Sequence, residues 1–250
     1  MSNVSLVAFY GDKPSELQDL ILQLQQLLID RELVGDKFIP YQLEQVHATI
    51  IGCEGTKTER GIVNRWFDLR RQETRYINLA GLTNYLQNEI ILPPTIRFGG
   101  FDRATEYNFR SRNEHLYFRS FQLQPTETET IPILIGWSWE NRQVTLGIDN
   151  LRRSFQQFDL LHKYHATNEA IDNDFYLRLG TIARPLKEME IQAIASQIRN
   201  FLASQPPLYL PLAKQNLSFA RYQDLSLTPA TTEIIPISDI TPQQLAILHD

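Results

Sequence analysis

What most constrains this chain is the order of its segments. Short apolar runs of strand length alternate with longer stretches of helical period, and the order occurs twice. VSLVAFYG (4–11) reads as a strand closed by Gly-Asp. In the stretch that follows, Leu17, Leu20, Ile21, Leu24, Leu27 and Leu28 keep helical spacing, and Pro14 and Ser15 suit its start. QVHATIIG then reads as a strand, ERGIVNRWFDLRR as a helix, and TIRFGGF (95–101) as a strand with a glycine bend. The second half runs the same way. IPILIGWSW (131–139) is a strand, DNLRRSFQQFDLL a helix with Asp149 or Asn150 as its cap, and NDFYLRLGTI (173–182) a strand. PLKEMEIQAIASQIRNFLASQ is an amphipathic helix and NLSFARYQDLSL (216–227) a strand. EHLYFRSFQLQP (114–125) reads as an extra strand. The tail from Thr228 reads as an irregular extension closing in a short helix.

This pattern predicts an α+β fold of two pseudo-symmetric lobes, each a β-sheet with helices on its outer face, around a central groove. The chain is then one bilobal domain, with lobe one at about 1–125, lobe two at about 126–227 and an extension over 228–250. Hydrophobic residues make up 42% of 250, enough for a substantial core. A net charge of −5 argues against broad coating of nucleic acid, which needs basic surface, and leaves room for a local basic cleft. Cys53 is the sole cysteine, so no internal disulfide forms; its plain reading is a small buried hydrophobe. No apolar run approaches the ~18 residues of a membrane span, and the start lacks a basic, then apolar leader. The expectation is a cytoplasmic monomer with no membrane partner.

Chemistry-bearing residues concentrate in two places. In EQVHATIIGCEG, His47 and Thr49 stand two apart on a strand, so both side chains share a face. An imidazole to move protons and a hydroxyl to hold oxygen suit a phosphate. LLHKYHATNEAIDND (160–174) carries His162, His165 and a second His-Ala-Thr ending at Thr167, in a polar, loop-like context. A surface loop and a metal site with Asp172 and Asp174 are both open there, although the spacing matches no strong metal motif. Arg110, Arg112 and Arg119 lie among Tyr107, Phe109, Tyr117 and Phe118, a mixture that serves base stacking or an ordinary amphipathic surface equally well. His115 reads as structural.

HATI at 47–50 resembles the first His-x-Thr motif of the 2H phosphoesterases, the superfamily that includes RNA ligase-like cyclic phosphodiesterases. The element order around it and the segment ILPPTIRFGGFDR are similar to that family as well. The resemblance implies a bilobal fold with one His-x-Thr/Ser on a strand of each lobe, facing a shared groove. It implies acid–base chemistry on a phosphodiester, with hydroxyls holding phosphate oxygens and no metal or other cofactor. By position in the repeat, the second motif falls on DFYLRLGTI, with Tyr176 in place of the histidine and Arg178 in place of the hydroxyl. Tyrosine, with a pKa near ~10, is a poor base at neutral pH. Arginine binds two phosphate oxygens with its fork.

The expected catalytic set is therefore His47, Thr49, Tyr176 and His165. Arg178, Thr167 and His162 are expected to bind substrate. His165 is preferred as the second proton carrier because Thr167 adds a hydroxyl beside it. The substrate implied is a cyclic nucleotide or an RNA end with a 2′,3′-cyclic phosphate. The alternative is an inactive module that binds a nucleotide or a partner through the same groove.

Overall fold

Alternation along β1 (Asn3–Ala8) sets the plan of the molecule. Val4, Leu6 and Ala8 enter the main core, whereas Ser5 and Val7 point to the opposite face of the sheet. The structure, a computed structural model, describes residues 3–30 and 32–250. Next comes α1 (Ser15–Ile29), which buries Leu17, Ile21, Leu24 and Leu28 along one stripe. The short β2 (Phe38–Pro40), β3 (Ala48–Gly52), and a hairpin of β4 (Gly55–Thr58) and β5 (Gly61–Asn64) follow. After α2 (Arg65–Arg71) and α3 (Leu79–Asn84), whose end widens into one π-type turn, the chain enters β6 (Thr95–Phe98). Then come α4 (Leu116–Arg119), β7 (Phe121–Pro125), the long β8 (Thr130–Glu140), β9 (Gln143–Val144) and α5 (Gly147–Ser154). The last third holds β10 (Phe175–Arg178), β11 (Gly180–Ile182), α6 (Glu188–Ser204), β12 (Leu208–Pro211), β13 (Leu217–Tyr222), β14 (Thr232–Pro236) and α7 (Pro242–Ile247).

The fold is α+β with two lobes. Among the described residues, twelve strands form one antiparallel network whose main path runs β12-β6-β8-β10-β3-β1-β13-β14. The lobes are the two halves of this sheet, meeting where β10 lies beside β3. They are not the consecutive halves of the chain that the segment order predicts. β6 and β7 pair with β8, and β13 returns to pair with β1. Nor do the two site strands face each other across a cleft; they are neighbours in one sheet.

One face of the sheet packs on the helices through Leu6, Ala48, Leu134, Leu177 and Phe219. The other face is covered only at its flanks. On one flank Phe101 and Leu116 pack on Ile131, Ile133, Ile135 and Trp137 of β8, so that strand is buried on both sides. On the other, Leu227 covers Val7, Ala220 and Tyr222. The open strip between these clusters is the site.

Several local expectations change for identifiable reasons. ERGIVNRWFDLRR divides because Asn64 accepts the amide of Phe67 at 3.0 Å, capping a helix that starts only at Arg65. The stretch 114–125 opens with a one-turn helix, α4, capped by His115, whose Nδ1 accepts from the Tyr117 amide at 3.2 Å. NDFYLRLGTI breaks at Leu179, and from Gly180, where a side chain would come within 2.4 Å of the Ile39 carbonyl oxygen, the chain pairs with β2. The tail beyond Thr228 is ordered structure: β14 pairs with β13, and Ile237, Ile240, Leu245 and Leu248 enter the core. His249 ties the end of the chain to the residue after β3, its Nε2 lying 2.9 Å from the Cys53 carbonyl. Among the described residues no helix is long and apolar enough to cross a membrane.

Candidate functional site

β10 meets β3 in a single register pair, Leu177 with Ala48, both fully buried on the helix face. Continuing that antiparallel register sets Thr49 beside Tyr176 and His47 beside Arg178. Because side chains alternate, these four share the opposite face. All four line one pocket of about 90 Å³.

His47, immediately before β3, is 7% exposed. Its Nδ1 lies 2.7 Å from the Gln45 carbonyl. A carbonyl only accepts, so Nδ1 carries the hydrogen and Nε2 keeps its lone pair. Burial lowers the pKa to about 4, and the cationic Arg178 and Lys13 push the same way. His47 is thus a neutral imidazole with one free acceptor nitrogen at the pocket.

The loop 160–174 supplies a second imidazole, but not the one expected. His162 lines the pocket. Its Nε2 donates to Asp172 Oδ2 at 2.7 Å, and its Nδ1 is buried without a hydrogen-bond partner. Burial lowers its pKa to about 4, and Arg152 adds to the effect. Burial alone would raise Asp172, but Arg152 and then His162 hold its carboxyl well below the usual carboxylate range. His165 is fully buried and donates from Nε2 to Asp149 Oδ1 at 2.8 Å. It does not line the pocket, and Thr167 beside it is exposed and away from it. The reason is Asp149. That residue is not the cap of α5, which begins at Gly147; it sits in the first turn, where it accepts from His165, Arg153 and the Asp172 amide. His165 is drawn inward, and its ring packs on His162 at 5.1 Å.

Arg152 had no signal in the sequence, yet it joins the two halves. It is 1% exposed. It donates to the carbonyls of Thr49 (3.1 Å) and Ile50 (2.8 Å) on β3. It also reaches the Asp172 carboxylate (3.1 Å) and the carbonyls of Asp172 (2.8 Å) and Asp174 (3.1 Å) ahead of β10. Nothing local could have revealed this, since its partners on β3 lie about a hundred residues away. Asp174 in turn accepts from Arg119, Ser111 and Trp137, which fixes the 111–119 segment against β10.

Arg178 is half-buried and spends one nitrogen on the Leu225 carbonyl at 3.3 Å. Lys163 and Tyr164 complete the loop side. On the β1 side stand Ser5, bonded to Tyr222 at 3.1 Å, and Trp66, which donates to Glu54 at 2.8 Å. Sequence reasoning passed over these residues, because Ser5 and Tyr222 show only as polar positions in alternating strands. Among the described residues no group of three or more His, Cys, Asp or Glu is gathered to hold a metal ion. His162 and His165 each take a different aspartate as a hydrogen-bond partner.

No protein-family model matches the chain, and no curated protein matches it. The chain is similar to that in the crystal structure of TT0787 of Thermus thermophilus, at 13% identity and a TM-score of 0.45 over 93% of each chain.

Proposed function

We propose that this protein is a divergent phosphodiesterase of the 2H type, acting on a cyclic nucleotide or an RNA end with a cyclic phosphate. The observation that carries the reading is the pairing of His47 and His162 on one pocket, each with one ring nitrogen unused by the protein, beside Arg178. Arg178 and Thr49 hold the phosphate oxygens. One imidazole takes a proton from water as its oxygen bonds to phosphorus. The phosphorus–oxygen bond of the ring breaks, and the departing oxygen receives a proton from the other imidazole, leaving a phosphate monoester and an alcohol. That division of labour needs one of the two protonated. The anionic ligand supplies the drive, since a negative charge within ~4–6 Å raises an imidazole pKa. Tyr176, where a histidine is expected from the resemblance, serves as a hydrogen-bond donor to the ligand.

A binding module is the second reading. It draws on both imidazoles being neutral in the free protein, which leaves the pocket without a ready acid. Turnover and calorimetric binding with a panel of cyclic nucleotides and cyclic-phosphate RNA ends separate the two. Turnover abolished by His47→Ala supports the enzyme. Tight binding with no turnover supports the module, and neither binding nor turnover rejects both.

A further inference from the structure

A second, larger pocket of about 260 Å³ adjoins the first. The two share Tyr164 and Tyr176 as walls. The sheet register shows how they connect. Arg178 pairs with Ile133 on β8, and Ile133 pairs with Gln122 on β7. One row of side chains thus crosses β7, β8 and β10 on the same face and ends at His47, just before β3. Its imidazole and guanidinium lie in the first pocket, and its isoleucine and amide in the second. Ile135, opposite Tyr176, extends the apolar floor of the second pocket.

The linings divide the ligand between them. The first pocket, with His47, Thr49 and Arg178, suits a phosphate. Gln122 stands two strand spacings from Arg178, about 10 Å, the reach of a nucleoside from its phosphate-bearing oxygens to its base. The second pocket has the make-up of a site for a flat heterocycle. Ile133 and Ile135 form an apolar floor, and Tyr164 and Tyr176 are aromatic walls. Two amides stand at its edge. Gln122 donates to the Phe118 carbonyl and so keeps its oxygen as an acceptor, and Gln124 adds a second amide beside it. The Arg112 guanidinium, 5.2 Å from the Tyr164 ring centroid and ion-paired with Asp172 at 3.8 Å and Asp174 at 3.6 Å, closes the same rim.

We infer that the second pocket is a nucleobase subsite, so that the ligand is a nucleotide lying across Tyr176 with its phosphate at His47 and Arg178. This rests on the phosphate reading of the first pocket, and the test separates the two. Inorganic phosphate and a 2′,3′-cyclic nucleotide are titrated by calorimetry into the wild type, Gln122→Ala, Gln124→Trp and Trp66→Ala, each checked for an unchanged thermal midpoint. The subsite predicts that the wild type prefers the nucleotide. It also predicts that Gln122→Ala and Gln124→Trp weaken the nucleotide about tenfold while leaving phosphate unchanged. Trp66→Ala should then move the two ligands together. An unchanged nucleotide-to-phosphate ratio in both pocket variants overturns the subsite, as does a ratio lost only in Trp66→Ala, which would put the base on the indole. A wild type that binds phosphate but gains nothing from the base overturns the subsite and leaves the phosphate reading standing. A wild type that binds neither overturns both.

Discussion

Leu177 stands opposite Ala48 as the register pair that joins the two halves of the sheet. Both side chains are fully buried against the helices. A one-residue slip of β10 along β3 would send Tyr176 and Arg178 into the apolar core and turn Leu177 outward, parting them from His47 and Thr49. The seam is therefore held by core packing, and the site inherits its geometry from it.

Leu177→Ala should cost ~2–5 kcal/mol, the range for a buried leucine that leaves a cavity. Urea unfolding followed by circular dichroism measures it. A loss below ~1 kcal/mol would mean that the seam closes without this contact.

The two loop histidines should separate by phenotype. His162→Gln should lower kcat by ~10²–10⁴-fold, the scale of one acid–base group, with the fold intact. His165→Ala should lower stability, because Asp149 loses a buried partner, while kcat per folded molecule holds. The reverse pattern would place His165 in the chemistry.

The pH profile follows from the paired imidazoles. In the free protein both are held near a pKa of about 4, so the form with one proton between them thins out as pH rises. Since kcat/KM reports the free enzyme, it should rise close to tenfold per unit as pH falls from 8 to about 5. A flat profile over that range would instead assign the acid to Tyr176 or Lys163.

Stability should depend on pH in the same region. The unfolded state takes up a proton on histidine below about 6.5, while folded His47 resists until about 4. That contribution is present above 6.5 and fades as pH falls through this window, amounting to ~3 kcal/mol for His47. Asp172 works in a lower window: its folded pKa lies below its unfolded value, so its contribution is lost only below pH ~4. Unfolding free energies at stepped pH should show the upper loss, reduced in His47→Gln. Equal stability at pH 7 and 4.5 would contradict the buried, neutral state of the ring.

Arg152→Lys should not rescue Arg152→Ala. A lysine lacks the planar fork that serves β3 and the lead into β10 together, and removing the guanidinium strands the buried Asp172 carboxylate. Each variant should lose ~3–5 kcal/mol. Full stability of the lysine variant would show that charge alone suffices.

The sequence by itself settled whatever depends on local period. Leu17, Ile21, Leu24 and Leu28 could only form a helical stripe, and the compact apolar run of β1 and the alternation of β13 announced strands. The spacing of His47 and Thr49 placed both on one side of a strand, and the repeat aligned Tyr176 and Arg178 with them. The segment 114–125 reads as all strand because its helical turn depends on one capping ring, which a strand-like composition hides.

Which histidine joins His47 was a tertiary decision. His162 and His165 are three residues apart in one polar loop, chemically alike and followed by the same acidic residues. Asp149, on a helix that precedes the loop, accepts from one ring, while Asp172, charged by Arg152, holds the other at the pocket. The same holds for Arg152 and for the chain order of the lobes. β6 and β13 cross between halves, and Arg152 closes bonds over about a hundred residues. Such long-range pairings leave no mark on local composition, because their energy comes from satisfying buried groups brought together only when the sheet assembles.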